Sequence, residues 1–188
     1  DIYDGVTKVE SHITTPEAME LQQHLRNALD SQITYAEMEV SSQALKYHRV
    51  DGMRFDVGIF LNISEDHISP IEHEDFEDYF SSKMLMFAQT DTAVVNLDAD
   101  HIERILEEAK AAKACVTFSL KNPEADYYGY NIRKDGHETT FSVKSKDFDE
   151  EFVLTMPGLF NVENALGVIA AASALQIPRE YIHSGLKR

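Results

Sequence analysis

The sequence predicts an α/β fold: a mainly parallel sheet flanked by helices, with a small antiparallel β-meander. Three observations carry this expectation. Residues 55–63, 92–97 and 114–120 are apolar runs of strand length, the composition of strands covered on both faces. Between them lie stretches with helical spacing of apolar residues, so strand and helix alternate. After Asn122 the period falls to two over residues 127–133 and 139–144, joined at Asp135-Gly136, a hairpin signal, and residues 151–156 supply a third strand.

In chain order, Ala18, Leu21, Leu25, Ala28 and Leu29 recur at helical spacing behind Thr14-Thr15-Pro16-Glu17, which predicts a helix over residues 16–29 with Pro16 in its first turn. Residues 33–40 are short and β-rich and predict a strand that ends at Glu39. Ser41-Ser42 then offers a cap for a new helix. The run at 55–63 ends in the polar turn Ser64-Glu65-Asp66-His67. From Glu74 onward Phe76, Tyr79, Phe80, Met84 and Phe87 mark the apolar stripe of a helix. Residues 99–113 read as a further helix. Pro157-Gly158 breaks the chain before an Ala-rich helix at 161–175, and residues 178–186 read as a short last one. There is no repeat and no linker.

The chain has 188 residues, enough to bury a core, and 43% of them are hydrophobic, which excludes collagen-like and natively unfolded classes. No apolar run approaches the roughly 18 residues of a membrane span. Asp and Glu number 33 against 17 Lys and Arg, a formal charge of −16, so a phosphate backbone is repelled and no nucleic-acid partner is expected. The single Cys115 stands in an apolar segment and reads as a buried small hydrophobe, which suits a reducing cytoplasm. The first ten residues are acidic and polar, with no leader and no initiator Met. The chain is therefore expected to begin within a longer protein.

In open α/β sheets ligands sit beyond the carboxyl ends of strands, and that rule selects the residues to weigh. Glu39 closes one predicted strand and His67 follows another; each is able to coordinate a hard or borderline cation, although from spacing alone Glu39 reads first as a solvated strand end and His67 as a capping or surface residue. Lys83 lies four after Tyr79 and three after Phe80, beside the apolar stripe of its helix. From there it either snorkels to water or, if buried, becomes a neutral and reactive amine. None of the eight glycines builds a G-x-x-x-x-G-K-[ST] phosphate cradle, and no G-x-G-x-x-G or G-x-S-x-G motif is present.

Six segments occur in order across almost the whole chain: Thr14-Thr15-Pro16-Glu17, Met38-Glu39-Val40-Ser41-Ser42, His48-Arg49-Val50, Asn62-Ile63-Ser64-Glu65-Asp66-His67, Ser82-Lys83 and Pro157-Gly158-Leu159-Phe160-Asn161-Val162-Glu163-Asn164. Together they resemble the central, ATP-binding domain of the Mur ligases, and within that family the members that add the third residue of the peptidoglycan stem peptide. The sequence departs from the family where Ile68-Ser69-Pro70-Ile71-Glu72-His73 follows the Asp-His pair, at Gln43, where the nearest members often carry His, and at Tyr47, where some carry Gln.

The resemblance implies a P-loop-like domain over residues 1–188 of a cytoplasmic ligase of cell-wall biogenesis, with the antiparallel subregion at about 125–156. It implies ATP and Mg²⁺ as cofactors, and UDP-N-acetylmuramoyl-peptide and an amino acid as substrates. In such enzymes the γ-phosphate of ATP passes to a carboxylate, and an amine then attacks the acyl phosphate. By the same resemblance Glu39, His67 and carbamylated Lys83 form the catalytic and metal set, Asn161 and Asn164 contact adenine, and Thr14, Thr15, Ser41 and Arg49 contact the UDP-sugar-peptide. From the residues alone, Thr14, Thr15 and Asn161 are also simple helix caps. The family's phosphate loop is expected before Asp1 and its amino-acid-binding domain after Arg188, so these 188 residues by themselves are expected to be inactive. Two other readings stand beside this one: a folylpolyglutamate, cyanophycin or poly-γ-glutamate synthase of the same superfamily, and a non-catalytic scaffold.

Overall fold

The computed structural model describes residues 1–64, 68–69 and 72–188. It comprises two compact units, Asp1–Met53 with Glu65–Met86, and Arg54–Ser64 with Phe87–Arg188.

The second unit holds one six-stranded sheet in sequential order: β3 (Phe55–Phe60), β4 (Thr90–Asn96), β5 (Ala114–Ser119), β6 (Tyr127–Asp135), β7 (Glu138–Lys144) and β8 (Asp149–Leu154). The first four are parallel and the last three form the antiparallel meander, so the predicted appendage continues the main sheet. A parallel connection ordinarily needs a dozen residues or more. The one from β5 to β6 is shorter because the strands pair only at Phe118↔Tyr127 and Ser119↔Tyr128, and β6 then runs past the end of its neighbour. Two carboxylates tie the short loop down. Asp98 accepts from Ser119 Oγ (2.6 Å) and Leu120 N (2.7 Å), and Asp126 accepts from Thr117 N and Oγ1, both at 2.8 Å. The β6–β7 hairpin turns at Gly136, whose φ of 60° occupies the first central position of a two-residue loop, where a side chain is disfavoured.

Helices α4 (Ile102–Glu108), α5 (Leu159–Ala174) and α6 (Arg179–Leu186) complete this unit. α5 is the core element. Its Val162, Leu166, Ile169 and Ala170 are fully buried with Phe118, Phe141, Phe152 and Leu154 of the sheet. The helix expected over residues 99–113 is shorter than its periodicity implied, ending in a 3-10 turn at Ala109–Ala111. Cys115 corrects the buried reading: it is exposed, because only the carboxyl half of β5, at Phe118 and Ser119, is fully covered.

The first unit contains the hairpin β1 (Ile2–Tyr3) and β2 (Lys8–Val9), helices α1 (Ala18–Asp30) and α2 (Ser42–Lys46), and most of α3 (Phe76–Ala88). α2 starts where Ser41-Ser42 predicted, with Ser41 Oγ accepting from Ala44 N at 3.1 Å. Asp75 caps α3 by accepting from Asp78 N at 2.8 Å. The strand predicted over residues 33–40 does not form: among the described residues the segment has no ladder partner, and Thr34, Tyr35, Ala36 and Glu37 are exposed. β-rich composition becomes a strand only when a neighbouring strand accepts its backbone bonds. Here Thr15 takes that role at the segment's end. Its buried hydroxyl donates to Glu39 O (2.9 Å) and accepts from Ser41 N (3.0 Å), which sets Glu39 just ahead of the α2 cap.

Candidate active site

Five of the sequence-selected residues, Thr14, Glu39, Ser41, Arg49 and Lys83, line one cavity of about 300 Å³ in the first unit, together with Ser42, Gln43, Glu72 and Tyr79. They arrive from the segment before α1, the tail of the extended stretch, the start of α2, the turn after it, and α3. Thr15 is completely buried behind this wall. Arg49 is held at 3.3 Å from Thr15 O through Nη1 and at 2.8 Å from Glu17 through Nη2. Its buried Nε has no hydrogen-bond partner among the described residues. A guanidinium fixed on two sides with N–H donors to spare is suited to an anion.

Lys83 stands with Nζ 5.3 Å from the centroid of the Tyr79 ring. Burial pushes its ammonium below the usual lysine range, while the charge of Glu39 pulls in the opposite direction. The amine and carboxylate expected to work together are thus electrostatically coupled. His67, the third member, lies outside the described residues. Among the described residues no group of three or more His, Cys, Asp or Glu forms a metal centre. Glu39 supplies one hard oxygen donor. An ammonium cannot ligate a cation, whereas the amine that burial favours can take up CO₂ and become anionic, so this pair fits magnesium only with Lys83 in that form.

Asn161 and Asn164 belong to the other unit, in the first turns of α5. Asn161 Nδ2 donates to Pro157 O at 2.7 Å, bracing the turn at Gly158, and Asn164 is exposed.

Sequence reading missed the polar chain at the back of the cavity. Ser42 Oγ is 2.9 Å from His73 Nε2, His73 Nδ1 is 3.2 Å from Asp78 Oδ2, and Lys46 Nζ is 2.5 Å from the same carboxylate. His73 is completely buried. No local signal marks this chain, because Ser42 and His73 are 31 residues apart. The Lys46 ammonium, aided by Glu74 N–H and His73, holds the Asp78 carboxyl down to about 2 from an ordinary 3.8. The unfolded chain therefore binds more protons between those values. The stabilisation is full above about pH 4 and is lost as the pH falls to about 2. Asp78→Asn is expected to flatten the acid limb of the stability profile, read from thermal melts across that window. An unaltered limb contradicts the assignment.

The Mur ligase middle-domain family matches residues 2–172. The chain belongs to this family. It is 38% identical over 186 residues to the UDP-N-acetylmuramoyl-L-alanyl-D-glutamate–L-lysine ligase of Streptococcus agalactiae, covering 97% of this chain and 36% of that protein. Against the corresponding 2,6-diaminopimelate ligase of Clostridioides difficile it is 36% identical over 188 residues, covering 99% of this chain and 38% of that one. A solved structure of a UDP-N-acetylmuramoyl-L-alanyl-D-glutamate–2,6-diaminopimelate ligase superposes with a TM-score of 0.84 at 27% identity, over 92% of this chain and 36% of that one. The middle-domain chain thus spans little more than a third of the length of these relatives. Among the described residues no helix is long and apolar enough to cross a membrane.

Proposed function

We propose that this middle domain belongs to a cytoplasmic, ATP-dependent ligase that joins an amino acid to the carboxylate of a UDP-N-acetylmuramoyl-peptide in peptidoglycan precursor synthesis. The observation that carries the proposal is the cavity in which Glu39 and a partly desolvated Lys83 meet beside Thr14, Ser41 and Arg49. Glu39, His67 and carbamylated Lys83 would hold magnesium, which when bound offsets charge on the triphosphate. Lys83 reaches the anionic form as its neutral amine adds to the carbon of CO₂ and the nitrogen loses one proton to solvent. Ser41 and Arg49 bind the acceptor, with the guanidinium of Arg49 matched to an anionic group. Thr14 lines the same wall, and Thr15 fixes the backbone on which Glu39 and Ser41 stand. Asn161 and Asn164 hold the adenine. The acceptor carboxylate displaces ADP from the γ-phosphate, and the incoming amine then displaces phosphate from the acyl phosphate and releases a proton. The phosphate loop and the amino-acid-binding domain are assigned to parts of the enzyme other than these 188 residues, which alone do not turn over.

The relatives divide between lysine and diaminopimelate in their names, so both amino acids are the ones to assay. The ligase containing this domain is expected to release phosphate from ATP only when UDP-N-acetylmuramoyl-L-alanyl-D-glutamate and one of the two are both present. Ligation to a folate or a polyamide, with none to the UDP-sugar-peptide, overturns the substrate. Amino-acid-dependent ATP hydrolysis by the 188-residue chain alone overturns the division of labour.

A further inference from the structure

We propose that Ser42 is a specificity residue of the cavity, with its hydroxyl fixed as a hydrogen-bond acceptor by His73, so that this part of the wall selects an amide N–H of the acceptor peptide. The identity of the peptide rests on the function proposed above; the polarity of the hydroxyl does not.

The argument follows the direction of donation along four residues. Asp78 is an ionised carboxylate held by Lys46, and such a group only accepts. His73 Nδ1, 3.2 Å away, must therefore be the protonated nitrogen. In a neutral imidazole the second nitrogen is then a lone-pair acceptor. Ser42 Oγ, 2.9 Å from that nitrogen, donates its single proton to it. A hydroxyl whose proton is spent keeps only lone pairs, so what Ser42 offers a ligand is an acceptor.

The chain is also rigid. The His73 ring is completely buried and packs on Tyr79 with centroids 5.2 Å apart. Lys46 Nζ donates to Glu72 O at 3.3 Å as well as to Asp78, fastening the segment beside His73. Ser42 is 6% exposed yet lines the cavity, so its hydroxyl is withdrawn from bulk water. A partner with no donor, such as a phosphate oxygen or a carbonyl, meets lone pairs there and is disfavoured. A peptide N–H is matched, and leaving it unpaired on burial is costly. His73 acts through Ser42 and is a positioning residue.

The 188-residue chain, labelled with ¹⁵N in its histidines, gives the tautomer of His73 from its two-bond nitrogen–proton correlations. A proton on Nδ1 alone is expected; a proton on Nε2, or on both nitrogens, overturns the proposal. UDP-N-acetylmuramoyl-L-alanyl-D-glutamate is then titrated into the ligase containing this domain and its variants by calorimetry. Ser42→Ala is expected to weaken binding about 10-fold, the size of one hydrogen bond in a desolvated wall. His73→Phe should do the same. His73→Gln, whose carbonyl oxygen can take the Ser42 proton, should recover most of the loss, which a role in folding alone does not explain. Replacing in turn each of the two amide N–H groups of the probe's peptide stem, the lactyl–alanyl and the alanyl–glutamyl, by an ester oxygen should weaken binding for one of them, and that loss should vanish in Ser42→Ala. Equal binding by the unaltered ligase and a folded Ser42→Ala overturns the proposal while leaving the substrate reading intact. No binding by the unaltered ligase overturns the substrate reading, and the peptide N–H with it.

Discussion

Replacing Lys83 by glutamine is expected to lower amino-acid-dependent ATP turnover of the ligase by about 10²–10³-fold, the effect of deleting one preorganised charge from a transition state. Among the described residues the unmodified side chain makes contacts that a purely structural role would use: its ammonium lies on the Tyr79 ring and is attracted by Glu39. Arginine preserves both, being a permanent cation that stacks well on aromatic faces. Arginine cannot become a neutral amine, so it cannot take up CO₂. Lys83→Arg is therefore expected to be as inactive as Lys83→Gln if the reactive form is the carbamate, and substantially active if the lysine only braces the helix. A second readout is independent of turnover. The unaltered chain, equilibrated with ¹³C-labelled bicarbonate, should show a carbamate carbon signal that is missing from both variants. Full activity of the arginine variant, or an identical carbon spectrum, sinks the assignment.

The place of Lys83 beside the apolar stripe was readable in the sequence because it depends on a local period, four residues from Tyr79 along one helix, whereas its carbamylation is implied by the family resemblance alone. The same holds for the sheet. The run that became β4 is apolar because no residue of that strand is exposed, β3 and β5 are covered chiefly at Phe60 and Phe118, and the Asp135-Gly136 turn needs a residue tolerant of positive φ. Local composition failed where pairing decides the outcome. The β-rich stretch before Glu39 had every propensity for a strand and, among the described residues, no neighbouring strand to complete it. The hairpin of β1 and β2 escaped notice for the reverse reason. Its strands are two residues each, and it is organised by Asp4, which accepts from Val6 N, Thr7 N and Thr7 Oγ1 and reaches His24 and Asn27 on α1. Gly5 in that turn has a φ of 86°, and a Cβ there would lie 2.4 Å from Ser31 Cβ. Neither contact leaves a trace in periodicity. The site divides along the same line. Thr14, Glu39, Ser41, Arg49 and Lys83 were visible as ordered motifs, whereas Ser42, His73 and Asp78 become one device only after the chain has folded α2 beside α3.

Phe118→Ala is expected to destabilise the second unit by about 3–5 kcal/mol, the cost of emptying a large buried aromatic site. Phe118 is 1% exposed and belongs to the cluster that joins the sheet to α5. α5 comes close to it through a glycine: a Cβ on Gly167 would lie 3.1 Å from Phe118 Cζ and 3.4 Å from Ile59 Cγ2. Because α5 supplies buried side chains opposite several strands, loosening it at Phe118 uncovers more than one contact. A loss of that size is a large share of the 5–15 kcal/mol or so that holds a typical domain together. Urea unfolding followed by far-ultraviolet circular dichroism should show the midpoint falling accordingly. The glycine supplies an internal control. Gly167→Ala adds about 1 kcal/mol of helix propensity but presses its methyl on the Phe118 ring. In the parent chain these effects oppose each other. In Phe118→Ala the ring is gone and only the gain remains, so Gly167→Ala should be more favourable there by a coupling of about 1 kcal/mol or more. If Gly167→Ala has the same effect in both backgrounds, the close seat of α5 on β5 is not what holds this unit, and the core must be sought at the meander instead.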